Sequence, residues 1–259
     1  MPHQLFVRIL SSLQTPYSSL FLYHGLGTGK TSSAIGIVEE MRSYTKQIVV
    51  SGTSNRIKGP QIDVIAAAIV QMNFRMQLFG PSKLKKNNST GEWNINTSVG
   101  NSLLNEINPA QINRMSNEKT EGNVNKIITS SYRSFGYEQF AGYASRYIKK
   151  EYNDEDNIKN ANFYFSNSLI IIDKVHNIRT EEGNRRKVVT DILFKIVRKA
   201  NNVRVFLLSA TPMYNSYKEI IWIINLLNAN DRRRSIKTEE VFDDYGNIIV
   251  GGKKLRQRK

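Results

Sequence analysis

Short runs of apolar residues alternate along the chain with segments whose apolar residues recur every three or four positions. The runs are typical of buried strands, and the spaced pattern is typical of amphipathic helices. Strands are predicted at residues 19–24, 47–51, 127–130, 169–172 and 203–208. Helices are predicted within residues 34–41, 62–79, 139–150, 188–197 and 220–227. This alternation predicts an α/β fold with a mostly parallel sheet and helices on both faces.

Two polar segments interrupt the alternation, and a polar tail follows it. Residues 83–97 contain the turn-forming stretch Asn87–Gly91 and are predicted to be a hairpin or a surface insertion. Residues 151–162 are charged and rich in Asn, which predicts a loop. We therefore expect one domain over residues 1–227, with a polar insertion at about 80–125, and a basic tail over residues 228–259.

Composition excludes several classes of protein. No apolar run approaches the roughly 20 residues that cross a bilayer, so no membrane span is expected. The first residues lack the basic-then-apolar pattern of a secretion signal. The chain has no cysteine, which excludes disulfides, thiol catalysis and cysteine-based zinc sites, and is compatible with a reducing compartment.

The net charge of +15 favours a polyanionic partner, of which nucleic acid is the commonest large one. Charge alone leaves open a basic protein without such a partner, since a cluster of lysines or arginines is often only a solvated face. The basic clusters are at residues 83–86, 185–187, 232–234 and 253–259, with Arg75 and Arg133 as further candidates. The tyrosines that are candidates for stacking on bases or for packing against the sheet are Tyr132, Tyr137, Tyr143 and Tyr147.

A glycine-rich turn, Gly25-Leu26-Gly27-Thr28-Gly29-Lys30-Thr31, follows the first predicted strand and opens the first predicted helix. Glycines let a backbone approach phosphates closely and aim its N–H groups at an anion. In such a loop Lys30 reaches the β- and γ-phosphates, and the Thr31 hydroxyl ligates Mg²⁺. The strict pattern G-x-x-x-x-G-K-[ST] is not met, because His24 replaces its first glycine. A glycine-rich turn without a ligand is the alternative.

Two further predicted strands end in polar residues. Asp173 ends the run Ile170–Ile172, where a carboxylate can hold Mg²⁺ beside a phosphate loop or simply cap a turn. The later strand ends in Ser209-Ala210-Thr211-Pro212. Both strand ends are expected at the same edge of the sheet as the glycine-rich turn.

In this order, the three segments resemble motifs I, II and III of superfamily II helicases. The residues His24, His176-Asn177 and Leu208–Asn215 further resemble the helicase-type ATPases of large cytoplasmic DNA viruses. These include the transcription-associated nucleoside triphosphatases of poxviruses and the related helicases of giant viruses. The resemblance implies a single RecA-like P-loop domain, a viral origin, and a location in the host cytoplasm or the virion.

The resemblance also implies the ligands of individual residues. ATP and Mg²⁺ are the expected cofactors, with Lys30 and Thr31 on the phosphates and Mg²⁺ and Asp173 organising the metal. Gln4, upstream of the loop, takes the role of an adenine-sensing glutamine.

The remaining motif residues are implied to couple the nucleotide to a second partner. His176, Ser209 and Thr211 connect the nucleotide site to bound DNA or RNA in this family. The alternative for His176 is a hydrogen-bonded structural histidine. Viral transcription machinery is a further partner that the resemblance suggests.

Two departures from the family pattern affect the expected activity. Lys174 stands where the family has the Glu that orients the attacking water, and loss of a general base costs on the order of 10²–10⁴-fold in rate. Only 48 residues follow Thr211, so the basic tail is expected to begin a linker to a second RecA-like domain that this sequence lacks.

Three functions remain open from the sequence. The first is the ATP-binding domain of a nucleic-acid-dependent ATPase or helicase, with doubtful hydrolysis. The second is a non-enzymatic ATP- and nucleic-acid-binding remnant of a truncated or split helicase. The third is another P-loop class, such as an AAA+ or kinase-like NTPase, against which the segment Ser209–Pro212 argues.

Overall fold

Five parallel strands form the central sheet of the computed structural model. The structure describes residues 15–23, 25, 29–50, 61–97, 99, 101–108, 115–149, 153–178, 184–211, 213, 216–243 and 245–249. The sheet strands are β1 (Ser19–Tyr23), β2 (Gln61–Ile65), β5 (Tyr132–Phe135), β6 (Ser168–Asp173) and β7 (Arg204–Ser209). Their spatial order is β1-β7-β6-β2-β5, and all neighbouring pairs are parallel. Strands β3 (Leu84–Lys86) and β4 (Trp93–Ile95) form the separate antiparallel hairpin that the polar segment predicts.

Helices cover both faces of the sheet, which confirms the predicted α/β class. In the described parts of the chain they are α1 (Lys30–Val50), α2 (Ala68–Leu78), α3 (Ser102–Ile107), α4 (Asn117–Ser131), α5 (Tyr137–Ala144), α6 (Asp154–Phe165), α7 (Asn184–Lys199) and α8 (Lys218–Asn230). Short 3₁₀ turns lie at Pro81–Lys83, Val175–Asn177 and Thr238–Glu240. None of the helices in these parts has the length and apolar character needed to cross a bilayer.

The apolar strands divide their side chains between two cores. Along β6, Leu169 and Ile171 pack with α1, α2 and α4 on one face. Ile170 and Ile172 pack with α5, α6, α7 and α8 on the other. Because side chains alternate across a strand, burial on both faces requires an unbroken apolar run. This is why the strands at residues 169–172 and 203–208 are predicted correctly.

Two neighbouring predictions in the first third of the chain are wrong. Residues 47–50 belong to α1 rather than to a strand, and the strand β2 occupies Gln61–Ile65, where a helix was predicted to begin. The helix α2 begins only at Ala68. Short runs of Ile and Val satisfy both patterns, so periodicity alone cannot distinguish a strand from a helix there.

Two predictions in the middle of the chain are also wrong. Residues 127–130 form the last turns of α4, and the strand follows at Tyr132–Phe135. The predicted loop at 151–162 contains most of α6, whose first turn is capped by Asn153. The Asn153 side chain accepts the Asp156 N–H at 2.7 Å, and three acidic residues follow the cap, an arrangement that favours a helix start. The predicted helices at 188–197 and 220–227 are confirmed as α7 and α8.

Candidate functional site

The strand order brings the three motif strands together. β7 lies between β1 and β6, with Tyr23 opposite Ser209 and Leu208 opposite Asp173. Adjacent strands are about 4.8 Å apart, so the ends of β1 and β6 lie about 10 Å from each other. The glycine-rich turn, Asp173 and Ser209 therefore share one edge of the sheet, which we call the carboxyl edge.

The end of the glycine-rich turn is shaped by Gly29. Its φ of 79° lies in the left-handed region that favours glycine, and its carbonyl accepts the Ser33 N–H at 2.9 Å as α1 begins. Lys30 is the first residue of α1, and its Nζ donates to the Gly25 carbonyl at 2.7 Å. Lys30 therefore reaches back over the turn, and the half-buried Thr31 follows it at the helix start. The remaining predicted residues, Gln4, His24, Leu26, Gly27 and Thr28, lie outside the described residues.

Asp173 is half-buried at the end of β6. Burial raises the pKa of its carboxyl, while the charges of Lys174 and Lys30 and a hydrogen bond from the Lys174 backbone N–H oppose this rise. Lys30 and the carboxylate of Asp173 are thus within electrostatic range of each other. Lys174 itself has a left-handed backbone, with φ 49° and ψ 54°.

The side chains of Lys30, Thr31 and Asp173 fit a triphosphate with bound Mg²⁺. A lysine at a helix N-terminus suits phosphate oxygens, and the Thr31 hydroxyl and Asp173 carboxylate are hard oxygen ligands. Mg²⁺ bound together with phosphates needs only one or two carboxylates. No cluster of three His, Asp or Glu side chains that would hold a metal by itself occurs in the described ranges.

His176 connects the ends of β6 and β7. It lies on the 3₁₀ turn after Asp173, and its Nδ1 is 2.9 Å from the Ser209 Oγ and 3.4 Å from the Thr211 Oγ1. The Thr211 N–H donates to the same Ser209 oxygen at 3.1 Å. Burial lowers the pKa of His176, the Lys174 charge lowers it further, and Asp173 opposes both. The structure thus brings together the three residues that the resemblance links.

Sequence reasoning missed the position of Tyr137. Its hydroxyl donates to the Asp173 carbonyl at 2.9 Å and accepts from the Asn177 side-chain amide at 3.4 Å. Burial raises the pKa of this tyrosine. In the structure Gly136-Tyr137 directly follows β5 and opens α5 at the carboxyl edge. The sequence gives no signal for this position, because its predicted strand lies at 127–130 and its predicted helix within 139–150.

Other aromatic and basic candidates have structural partners. Tyr132 is buried, and its hydroxyl donates to Glu39. Tyr143 packs against the rings of Phe135 and Tyr147. The Arg133 guanidinium binds the buried carboxylate of Asp63 through Nε at 2.6 Å and Nη2 at 2.7 Å. Arg133 and Tyr132 therefore belong to the packing of the domain.

Several viral proteins are similar to the chain, although no model of a protein family matches it. A mimivirus protein (Acanthamoeba polyphaga mimivirus) named as an ATP-dependent RNA helicase is 27% identical over 231 residues, 89% of this chain and 32% of that protein. A protein of Frog virus 3 named as a helicase is 23% identical over 248 residues, 95% of this chain and 22% of its own. The Variola virus early transcription factor 70 kDa subunit is 34% identical over 107 residues, 40% of this chain and 14% of its own.

The chain spans about a third or less of the length of each of these relatives. The matches to the mimivirus and Frog virus 3 proteins extend over most of the chain. The chain is therefore related to viral proteins that are named as helicases and, over a shorter stretch, to one that is named as an early transcription factor subunit.

Proposed function

We propose that the chain is the ATP-binding, RecA-like domain of a viral, nucleic-acid-dependent ATPase or helicase, and that it hydrolyses ATP very slowly. The observation that supports this most is the convergence of Lys30, Asp173 and the His176–Ser209 contact at one edge of the sheet. The names of the relatives, which include ATP-dependent RNA helicases and an early transcription factor, support the nucleotide and nucleic-acid parts of the proposal.

On the nucleotide side, the chain's own residues bind and orient the triphosphate. Lys30 exchanges its hydrogen bond to the Gly25 carbonyl for phosphate oxygens, and the first N–H groups of α1 face the same anion. Thr31 and Asp173 supply oxygen ligands to Mg²⁺, which neutralises phosphate charge when bound. Tyr137 holds the Asp173 backbone in place through its hydrogen bond to the carbonyl.

Hydrolysis is slow in this proposal because of Lys174. A charged lysine accepts no proton, so it cannot replace the Glu that activates water in the family. Loss of this base lowers the rate by about 10²–10⁴-fold. The chain's positive charge then supports binding of DNA or RNA, with His176, Ser209 and Thr211 coupling the two ligands. Viral transcription machinery is a further proposed partner, which the name of the Variola virus relative supports, and the host cytoplasm or the virion is the proposed location.

A second candidate function is a non-enzymatic module that holds ATP and nucleic acid. Lys174 favours it, because the residue removes the base and leaves the binding residues Lys30, Thr31 and Asp173 in place. The two candidates differ only in turnover, so a hydrolysis assay separates them.

The test is ATP hydrolysis by the wild-type chain and by Lys174→Glu, each alone, with single-stranded RNA and with duplex DNA. We expect slow turnover by the wild type and a rate about 10²-fold higher for Lys174→Glu with nucleic acid. Lys159→Glu, an equal charge change at an exposed position of α6, is the control and should match the wild type. Ordinary nucleic-acid-stimulated turnover by the wild type that Lys174→Glu changes little would overturn slow hydrolysis. Binding of ATP without turnover by either protein would favour the non-enzymatic module.

A further inference from the structure

Among the residues that the structure describes, Asp173 is the carboxylate of the proposed nucleotide site. Two lysines lie near it. Lys30 approaches from the start of α1, and Lys174 is the next residue in the chain. Both ammonium groups act on the Asp173 carboxylate through their charge. Counted over these three side chains, two positive charges face one negative charge at the carboxyl edge.

The backbone of Lys174 fixes this residue at the site. Its left-handed conformation turns the chain sharply after β6, and its N–H donates to the Asp173 carboxylate. Its exposed side chain starts from the residue that directly follows Asp173 and precedes the 3₁₀ turn of His176. Lys174 therefore places a positive charge at the carboxyl edge.

We propose that Lys174 makes this edge selective for nucleoside triphosphates over diphosphates and lowers its requirement for Mg²⁺. The inference rests on the proposed nucleotide site and adds the role of its second lysine. The terminal phosphate gives a triphosphate roughly one more negative charge than a diphosphate, and that charge interacts with the extra cation.

The same cation acts against a metal ion. Mg²⁺ held by Asp173 must approach a carboxylate that already has two lysines within electrostatic range. The ammonium groups of Lys174 and Lys30 and a Mg²⁺ ion carry like charges and repel each other. Lys174 therefore supplies part of the positive charge that Mg²⁺ supplies in a site with Glu at this position, and it weakens the binding of Mg²⁺ itself.

The test is calorimetric titration of ATP and of ADP, each with Mg²⁺ and with EDTA, into four proteins. These are the wild type, Lys174→Glu, the neutral Lys174→Gln, and the control Lys159→Glu. We expect Lys174→Glu to lower the ratio of ATP to ADP affinity by about tenfold. The factor by which Mg²⁺ increases the affinity for ATP, relative to EDTA, should rise by a similar amount. Lys174→Gln should fall between the wild type and Lys174→Glu, and Lys159→Glu should match the wild type.

The possible failures are distinct. In the first, the wild type binds ATP, but Lys174→Glu changes neither the ratio of ATP to ADP affinity nor the increase in ATP affinity with Mg²⁺. This result overturns the inference and leaves the proposed nucleotide site intact. Failure of the wild type to bind either nucleotide overturns both. A melting curve of each variant checks folding, and Lys174→Gln, which introduces no negative charge, provides the answer if Lys174→Glu does not fold.

Discussion

Two aspartates on adjacent strands of the sheet, Asp63 and Asp173, have different surroundings. Asp63 lies in the middle of β2, fully buried and directly opposite Arg133 of β5. Its two oxygens accept two hydrogen bonds from that guanidinium. Asp173 lies at the end of β6, half-buried. It accepts a hydrogen bond from the Lys174 backbone N–H, and the side chains of Lys174 and Lys30 act on it through their charge. Burial raises the pKa of both carboxyls.

The two aspartates differ in their position along a strand, and this difference matches the structural role of Asp63 and the ligand-binding role that we propose for Asp173. A charge in the middle of a sheet needs a partner within the protein, because unpaired burial is very costly. Arg133 meets this need, and it is itself held by the Tyr143 hydroxyl at 2.6 Å and lies over the Tyr143 ring at 4.9 Å. At a strand end a carboxylate can instead remain open to a ligand.

The largest effect on stability is expected for Asp63→Asn. The substitution leaves Arg133 without its anion, and we expect the free energy of unfolding to fall by about 3 kcal/mol. Urea denaturation measures this. The double variant Asp63→Asn/Arg133→Met should be more stable than Asp63→Asn. A loss below about 1 kcal/mol would contradict a structural role for the pair.

The substitution Asp173→Asn should lower the affinity for ATP and leave the stability of the fold unchanged. Because burial raises the pKa of Asp173, its charged form is less favourable in the folded chain, and Asp173→Asn should not lower the melting temperature. The affinity for ATP with Mg²⁺ should fall by about tenfold, or about 1.4 kcal/mol. A lower melting temperature together with unchanged ATP affinity would show that Asp173, like Asp63, has a structural role.

Ser209→Ala tests the connection between the strand ends. It removes the hydroxyl that contacts His176 and accepts the Thr211 N–H, at a cost of about 1 kcal/mol in stability. The change in ATP affinity caused by added single-stranded RNA should also shrink, because the two ligands are coupled through these contacts. Fluorescence titration with and without RNA measures this, and an unchanged effect of RNA would remove Ser209 from the coupling.

The smallest effect is expected for Tyr137→Phe. The variant keeps the ring and loses the hydrogen bonds to Asp173 and Asn177, so stability should fall by about 0.5–1 kcal/mol. ATP affinity should fall less than in Asp173→Asn, since only the backbone of Asp173 is released. An affinity loss larger than that of Asp173→Asn would show that Tyr137 has a more direct role in binding.

The sequence predicts the carboxyl edge better than it predicts the elements far from it. Asp173 and Ser209 follow long apolar runs that are buried on both faces, so their positions at strand ends could be inferred. Residues 47–50 and 61–65 are short Ile- and Val-containing runs whose conformation depends on packing. The contacts of Arg133 with Asp63, and of Tyr137 with Asp173, join residues 70 and 36 positions apart, and depend on a strand order that periodicity does not encode.

The central claim is that Lys30 and Asp173 form part of a triphosphate site at the carboxyl edge. The most direct measurement is calorimetric titration of ATP with Mg²⁺ into the wild type and into Lys30→Ala. We expect saturable one-to-one binding by the wild type, and an affinity lower by about 30-fold or more in Lys30→Ala at an unchanged melting temperature. Equal affinities in the two proteins, or no binding by the wild type, would contradict the account.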